Sequence, residues 1–458
     1  MSLIIVFVLF IAGMIVTLIL GYSMVLPLLF GLFLFTGLGL RTLKQGGTGN
    51  GAGIRELSKW SWGSIKDSLI VIVVMLIIGF ITAAWRISGT ITVFVYYGIK
   101  VIIPPAFLLI AFLLSCLLIY ALGTSFGVAG TLGVIFMALA RSGGVDPLIT
   151  AGIVMSGIYF GDRGSPVSSS ANMVAGVTKT EIMGNVKLMF KTAMLPFGIS
   201  TVIYAVLSFL NPISHVDTEI VSAFEKAFTL SPWGFVPAII MLLLPLLKVG
   251  VIQSITASII SSVIVAVVVE KVAFWEVIKI LFLGYHTSGN GLGTILNGGG
   301  LCSMLEIAAI LVISCAYSGI FNCTGMLKSL LDFIERGCTK MGRIAVTFLV
   351  SVATCVVFCN QTIATLMCND LLTKPYLNTG GTRQELAIDM ENTVIVVVGL
   401  IPWCIACSVP LTFMGVGIGA LPWAFYMYLI PLCYFFTKRH WFANKAHASE
   451  DRHDERSQ

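Results

Sequence analysis

The sequence predicts an all-α, polytopic membrane protein, and three observations carry that prediction. Only 10% of the 458 residues are charged and 57% are hydrophobic, whereas ordinary globular domains carry roughly 25% charged residues. Mean hydropathy is +1.00. Apolar runs near the length that a bilayer requires, about 17–25 residues, recur from one end of the chain to the other. They cover 2–20, 23–40, 68–87, 102–122, 125–140, 147–165, 188–209, 233–247, 252–269, 302–322, 344–359, 388–408 and 411–436, with 274–284 as a partial span. About 11–14 transmembrane spans are expected, some of them interrupted helices or re-entrant hairpins.

Taken in order, the first run lacks a basic leader and a small-residue cleavage site, and a second run follows almost at once. That pattern reads as a retained helical hairpin and not a signal peptide. Basic residues collect at run edges, among them Arg41, Lys44, Arg55, Lys59, Lys438 and Arg439, and make much of the net charge of +6. Such an excess reports orientation and not nucleic-acid binding. It assigns loops 41–66 and 328–343, with the C-terminal tail, to the cytoplasm. Ten of the eleven Cys lie after residue 300, singly within apolar runs, and the Cys404–Cys407 CxxC has no second pair and no nearby His. They read as helix-packing residues. There is no GxxxxGK(S/T) and no HExxH, so neither an ATP-driven pump nor an enzyme is expected, and no cofactor beyond Na⁺ or H⁺ as coupling ions.

An internal duplication is expected at an offset of 236 residues. That offset pairs Gly89 with Gly325, Thr124–Ser125 with Asn360–Gln361, and Pro166 with Pro402. The division expected is a hairpin and loop at 1–52, a first repeat at 53–210, linker spans at 211–285, a second repeat at 286–437 and a polar tail at 438–458. The first repeat follows a basic, cytoplasmic loop. The second follows GYHTSGNGLGTILNGGG, which has no charged residue and suits the outside. The halves then enter from opposite sides, the inverted arrangement of secondary transporters. Simple alternation of the spans leaves the basic tail outside, so at least one run is expected to be re-entrant or a half-span.

The polar content of the apolar regions is concentrated. GDRGSPVSSSAN, 161–172, sets Asp162, Ser165, Ser168, Ser169 and Asn172 among the helix-breaking Gly161, Gly164 and Pro166. Unsatisfied backbone in lipid costs several kcal/mol per group, so the segment is read either as lining a cavity or as an ordinary turn outside the membrane. Its oxygens suit a Na⁺ ion near Asp162, Ser168 and Asn172. The counterpart, ENTVIVVVGLIPWCIACSVP, brings Glu391, Asn392 and Thr393 ahead of a break at Pro402. GTSFGVAGTLG with Thr124 and Ser125, and NQTIAT with Asn360, Gln361 and Thr362, are further polar entries that either line the site or pack helices closely. Glu306 stands four residues into an apolar run and either binds a proton, pairs with a cation or snorkels to an interface. His286 reads as an exposed loop residue.

The stretch at 161–172 resembles the GD(K/R)xSPxSDTTN pattern of the NhaC-type Na⁺/H⁺ antiporters, within the wider ion transporter superfamily. MENTVIVVVGLIPWCIACS is similar to that family's LEDSGTxxSxLIPWNTCG, and LNGGGLCSMLEIAAILVISCAYSGIFNCTGML to its span ending in a TGML-like turn. The resemblance covers roughly 53–436. It implies a multi-pass inner-membrane secondary transporter whose relatives exchange Na⁺ for H⁺ or couple both to organic anions such as malate and lactate. It carries site roles to Gly161, Asp162, Ser165, Pro166, Ser168, Asn172, Glu391, Pro402 and Trp403. Four departures stand out: Ser169, Asn360 and Asn392 replace carboxylates, and Cys404 replaces an Asn. Fewer fixed negative charges lower the repulsion of an anionic substrate. A small organic or amino acid is therefore expected to move with or against Na⁺ and/or H⁺, with plain Na⁺/H⁺ exchange as the alternative and a channel or intramembrane enzyme as a remote one. The lipid bilayer is the expected surrounding, and a homodimer is left open.

Overall fold

Helices make up nearly all of the described chain, which in this computed structural model comprises residues 3–20, 22–45, 50–67, 69–101, 103–123, 125–166, 168–213, 228–247, 249–287, 296–324 and 331–454. Among these residues no strand ladder occurs, only one antiparallel bridge between Tyr285 and Gly298. Hydrogen bonding within helices is what an apolar solvent demands of a spanning backbone.

The chain begins with α1 (Leu3–Leu20), α2 (Val25–Gln45) and α3 (Asn50–Asp67). The sequence suggests a cytoplasmic loop where α3 lies, yet α3 is a helix packed closely against α15 (Leu305–Thr324). The approach is close because Gly319 has no side chain; a Cβ there would sit 2.5 Å from Ser61 Cα. Ser61 Oγ also donates to the Ala316 carbonyl at 3.0 Å.

The first repeat runs through α4 (Leu69–Ile87), α5 (Thr90–Val101) and α6 (Phe107–Leu122), then turns at Gly123 into α7 (Ser125–Val128), a π-helical turn at 129–133 and α8 (Val134–Ser142). It continues as α9 (Pro147–Gly164), α10 (Ser169–Thr178) and α11 (Ile182–Leu210). Helices α12 (Val236–Leu246), α13 (Val251–Val268) and α14 (Phe274–Leu283) separate it from the second. There α15 leads to α16 (Leu331–Met341), α17 (Arg343–Phe358), α18 (Gln361–Asn378), α19 (Arg383–Asn392), α20 (Val394–Val397), α21 (Ile405–Phe413) and α22 (Phe425–Asp454).

The backbone repeats at the offset of 236. Left-handed residues pair as Gly123 with Cys359, Gly144 with Gly380, and Lys179 with Gly415. Ser169 N donates to Gly123 O, and at the equivalent positions Ile405 N donates to Cys359 O. Asp146 and Thr382, also equivalent, each N-cap the helix that follows. Gly325 lies outside the described residues.

Each repeat contains a hairpin and a broken helix, and the two hairpins enter from opposite faces. The open end of the α6–α8 hairpin gathers at Ile213, whose N bonds Pro104 O and whose side chain crowds Gly143. The open end of the α17–α18 hairpin closes where Arg343 Nη1 donates to Thr379 O at 2.9 Å. Broken helix α9–α10 starts beside the first hairpin's ends and finishes beside the second's, where Arg383 reaches Thr178 O. Broken helix α19–α21 runs the other way and ends where Arg141 Nη2 holds Met414 O at 2.9 Å. The α22 residue Lys438 bonds Glu385, which also holds Arg343, so the start of the tail lies on the same face as Arg343.

The runs at 102–122, 125–140 and 344–359 form arms of the two hairpins, and α18 arises from a stretch not counted as a span at all. Among the described residues four helices are long and apolar enough to cross a bilayer alone, at 25–44, 125–142, 182–210 and 301–321, and the helices at 383–400 and 405–413, bent by 54° where they meet, pass the same test as a pair. The outer face of α11, with Phe190, Met194, Val202 and Phe209 exposed, is apolar as a lipid-facing surface must be.

Candidate ion-binding site

The site is built where the first broken helix meets the apex of the second hairpin. Gly161 and Gly157 let α9 lie against α6: a Cβ on Gly161 would come within 2.5 Å of Ile119. The helix ends at Gly164, Ser165 turns into extended backbone, and Ser168 N-caps α10 by accepting from Ser170 N and Ala171 N. Asp162 occupies the last turn of α9 and is 2% exposed.

Its carboxylate is surrounded by neutral donors from both repeats. Gln361 Nε2 donates to Oδ2 at 2.8 Å, and Ser170 Oγ lies 3.1 and 3.2 Å from the two oxygens. Ser168 Oγ lies 3.3 Å from Oδ1 and 2.5 Å from the Asp162 main-chain O, and the Ser125 hydroxyl adds another side-chain hydrogen bond. Ser125 and Gln361 are equivalent across the duplication, so each hairpin apex sends one side chain to the same acid. Two helix N-termini are capped beside it, α10 by Ser168 and α18 by Asn360, whose Oδ1 accepts from Thr362 N and Ile363 N. Each such terminus carries roughly half a positive charge.

Arg163 is the adjacent residue but does not neutralise Asp162. It is fully buried and turned away, donating from Nη2 to Met189 O at 2.6 Å and to Thr192 Oγ1, and from Nη1 to Tyr426 OH. Among the described residues Asp162 has no ion pair.

The other candidates distribute as follows. Ser165 Oγ donates to Tyr120 O, and Asn172 Nδ2 bridges Pro166 O and Ser168 O, so both hold the break in shape, with Asn172 exposed. Ser169 and Thr362 are exposed and reach the site only through main-chain bonds. Thr124 lies outside the described residues. Pro402 sits in the bend between α20 and α21, where Trp403 Nε1 donates to Val356 O. Thr393 bonds Asp389 O and Ser351. Glu391 and Asn392 are fully buried beside these helices, with no hydrogen-bond partner on any terminal side-chain atom. Glu306 is exposed, and its carboxylate accepts from Ser23 in the α1–α2 turn at 2.5 Å, so it is not brought to Asp162. His286 is exposed as well.

The profile of the Na⁺/H⁺ antiporter family matches residues 157–437, from the middle of α9 into α22. This chain belongs to that family. Among similar antiporters, Na⁺/H⁺ antiporter NhaC of Bacillus subtilis is 27% identical over 82% of this chain and 85% of its own. Malate-2H⁺/Na⁺-lactate antiporter of the same organism is 24% identical over 85% of each chain. Arginine/ornithine antiporter ArcD of Halobacterium salinarum is 28% identical over 72% of this chain and 70% of its own. The protein is thus a multi-pass membrane transporter and not an enzyme. Residues 123–127 do spell the hydrolase spacing GxSxG, but in this transporter Ser125 opens a hairpin apex and its hydroxyl bonds Asp162.

Two groups were not singled out by the sequence. Ser170 stood in the quoted stretch, but only the helical turn after Ser168 shows that it, and not Ser169, faces Asp162. The second is a buried charge cluster at the open end of the second hairpin: Asp389 accepts from Tyr376, Tyr434 and Lys438 at 2.6, 2.8 and 2.6 Å. Lys438 also pairs with Glu385 at 2.9 Å, and Arg343 with Glu385 at 3.1 Å. A sequence signal existed, since Glu385 and Asp389 are four residues apart on one helix face, but Lys438 read as the start of a solvated tail.

Proposed function

We propose that this antiporter moves Na⁺ and/or H⁺ with or against a small organic or amino acid by alternating access, and that Asp162 is the cation-binding carboxylate. The observation that carries the reading is that Asp162, buried and without an ion pair, is held by neutral side chains from both repeats. Its carboxylate, with the oxygens of Ser168, Ser170 and Gln361, is a hard, oxygen-rich donor set of the kind a Na⁺ ion takes. A cation there would bridge two elements that enter from opposite faces, so binding and release would respond to their relative movement. The helix N-termini of α10 and α18 favour a carboxylate nearby. Neutral Ser169, Asn360 and Asn392 in place of acids, and the organic substrates named for two relatives, support an organic solute. The names of other relatives favour plain Na⁺/H⁺ exchange. The setting proposed is the cell's inner membrane.

Purified protein in proteoliposomes tests this with radiolabelled Na⁺ and a panel of small carboxylic and amino acids. Na⁺ movement that accelerates with one solute class supports coupled transport. Na⁺ movement driven by a pH gradient and indifferent to every solute supports plain exchange. Neither Na⁺ nor H⁺ movement under either condition defeats both.

A further inference from the structure

The outer face of α11 carries two cations that the cation site does not use. Lys187 and Lys191 are exposed, five and nine residues into this apolar 29-residue helix, so about 7.5 and 13.5 Å along its axis from the end that adjoins α10. Neither makes an ion pair among the described residues. A bare ammonium on the lipid side of a spanning helix is costly. Residues three and four apart are neighbours on a helix surface, so Lys187 borders Phe190 and Lys191, and Lys191 borders Met194.

Phe190 and Met194 belong to an open, apolar groove of about 380 Å³. Phe197 continues their wall, Leu117 and Tyr120 of α6 face it, and Phe160 of α9 lines it as well, its ring 5.0 Å from that of Phe197. Leu117 is 66% and Met194 58% exposed, so the groove opens outward. The helices run antiparallel here: Leu108 N donates to Ser208 Oγ at 3.1 Å, and Tyr120 and Phe190 share the groove further along. The two lysines therefore stand at the Tyr120 end. An apolar trough with paired cations at one end has the form of a phospholipid.

We propose that this groove holds one phospholipid with an anionic headgroup, its acyl chain on Leu117, Phe160 and Phe197 and its phosphate on the Lys187 and Lys191 ammoniums. Basic groups between spanning helices at a membrane edge recognise such headgroups. A lipid without net charge would fill the groove and leave both ammoniums uncompensated. A second copy of this chain, meeting the first at a twofold contact centred on the groove, would bring two such lysine pairs together, like charge to like. The seated chain packs against Phe160, two residues before Asp162, and against Tyr120, whose carbonyl accepts from Ser165 at the break. The lipid thus supports the wall of the broken helix.

Full-length protein in detergent is titrated with phosphatidylglycerol or phosphatidylethanolamine of matched acyl chains, and retained lipid is read by native mass spectrometry. Each basic side chain is worth roughly fivefold toward an anionic headgroup. Phosphatidylglycerol should be held at least about tenfold more tightly, and Lys187→Gln with Lys191→Gln should remove that preference. Equal retention of the two lipids overturns the proposal, as does a preference that survives in the double variant. On wild-type protein, phosphatidylglycerol with a photoreactive diazirine in its acyl chain should label peptides covering 113–120 and 190–197. Label spread evenly over the other apolar helices overturns the proposal even if the double variant fails to fold. Leu117→Cys in a cysteine-free background tests the second copy. It should stay monomeric in oxidised membranes, and a disulfide-linked dimer in place of the photolabel overturns the lipid.

Discussion

Asp162 shows how one carboxylate is kept in an apolar setting without a counter-ion: hydroxyl and amide donors from α7, α10 and α18 and the Ser168 cap share its charge. Hydrogen bonds to a charged group are each worth about 1.5–3 kcal/mol. Asp162→Asn should therefore insert normally but lose at least about tenfold in Na⁺-dependent flux, since an amide cannot supply the negative charge. Gln361→Ala removes one such donor and one oxygen and should weaken half-saturation by Na⁺ by about tenfold. Both are read by flux against Na⁺ concentration, and wild-type behaviour in either would show that the cation is held elsewhere. Asp162 itself was legible in the sequence, as the acid in the helix-breaking stretch. Asn172 was read as a sodium contact, and its amide nitrogen holds the turn that presents the other oxygens.

Among the elements, the broken helices depend on close packing and on one buried ionic latch. A Cβ at Gly399 would meet the Tyr159 ring at 2.3 Å, and the Tyr159 hydroxyl ties α9 to Ala406 O on the other repeat. Gly399→Val should overpack this crossing and cost about 1–3 kcal/mol. It is read as a lower thermal midpoint in detergent, and an unchanged midpoint would mean that the two broken helices are not held this closely. Lys438 joins α22 to α18 and α19 through Tyr376, Asp389 and Glu385. Removing one partner of a buried pair leaves the others uncompensated, at about 3–5 kcal/mol. Lys438→Met should then unfold at a clearly lower temperature than Lys374→Met, a change at an exposed position of α18. Equal midpoints would show that the latch adds nothing.

For the whole molecule, the inverted hairpins make a prediction about sidedness. Ile418 lies just beyond α21, close to the face where Arg141 holds Met414, and Asn378 lies at the open end of the second hairpin. In a cysteine-free background, Ile418→Cys should label only from outside intact cells and Asn378→Cys only after the interior is opened. Labelling of both from one side would contradict the opposed entry of the two hairpins. The same geometry puts Lys438, at the start of the tail, on one face with Arg343, so the two should be reached from the same side.

The sequence alone determined the solvent and the symmetry. An apolar, charge-poor chain must satisfy its backbone with helices, and landmarks at 236 residues survive because a duplicated backbone keeps its turns wherever Gly, Pro and capping residues enforce them. It also located the breaks at 161–172 and around Pro402. Depth and facing were decided only by tertiary structure. An apolar run of sixteen residues suits a hairpin arm as well as a short span, so α6 and α17 could not be told from crossing helices by composition. Polar α18 is a helix because its neighbours bury it. Glu306 and Glu391 both stand near the ends of apolar runs, yet packing leaves the first in reach of Ser23 at an exposed edge and encloses the second among α9, α17 and α18. That difference is made by neighbours distant in sequence, and the local pattern of either residue contains nothing of it.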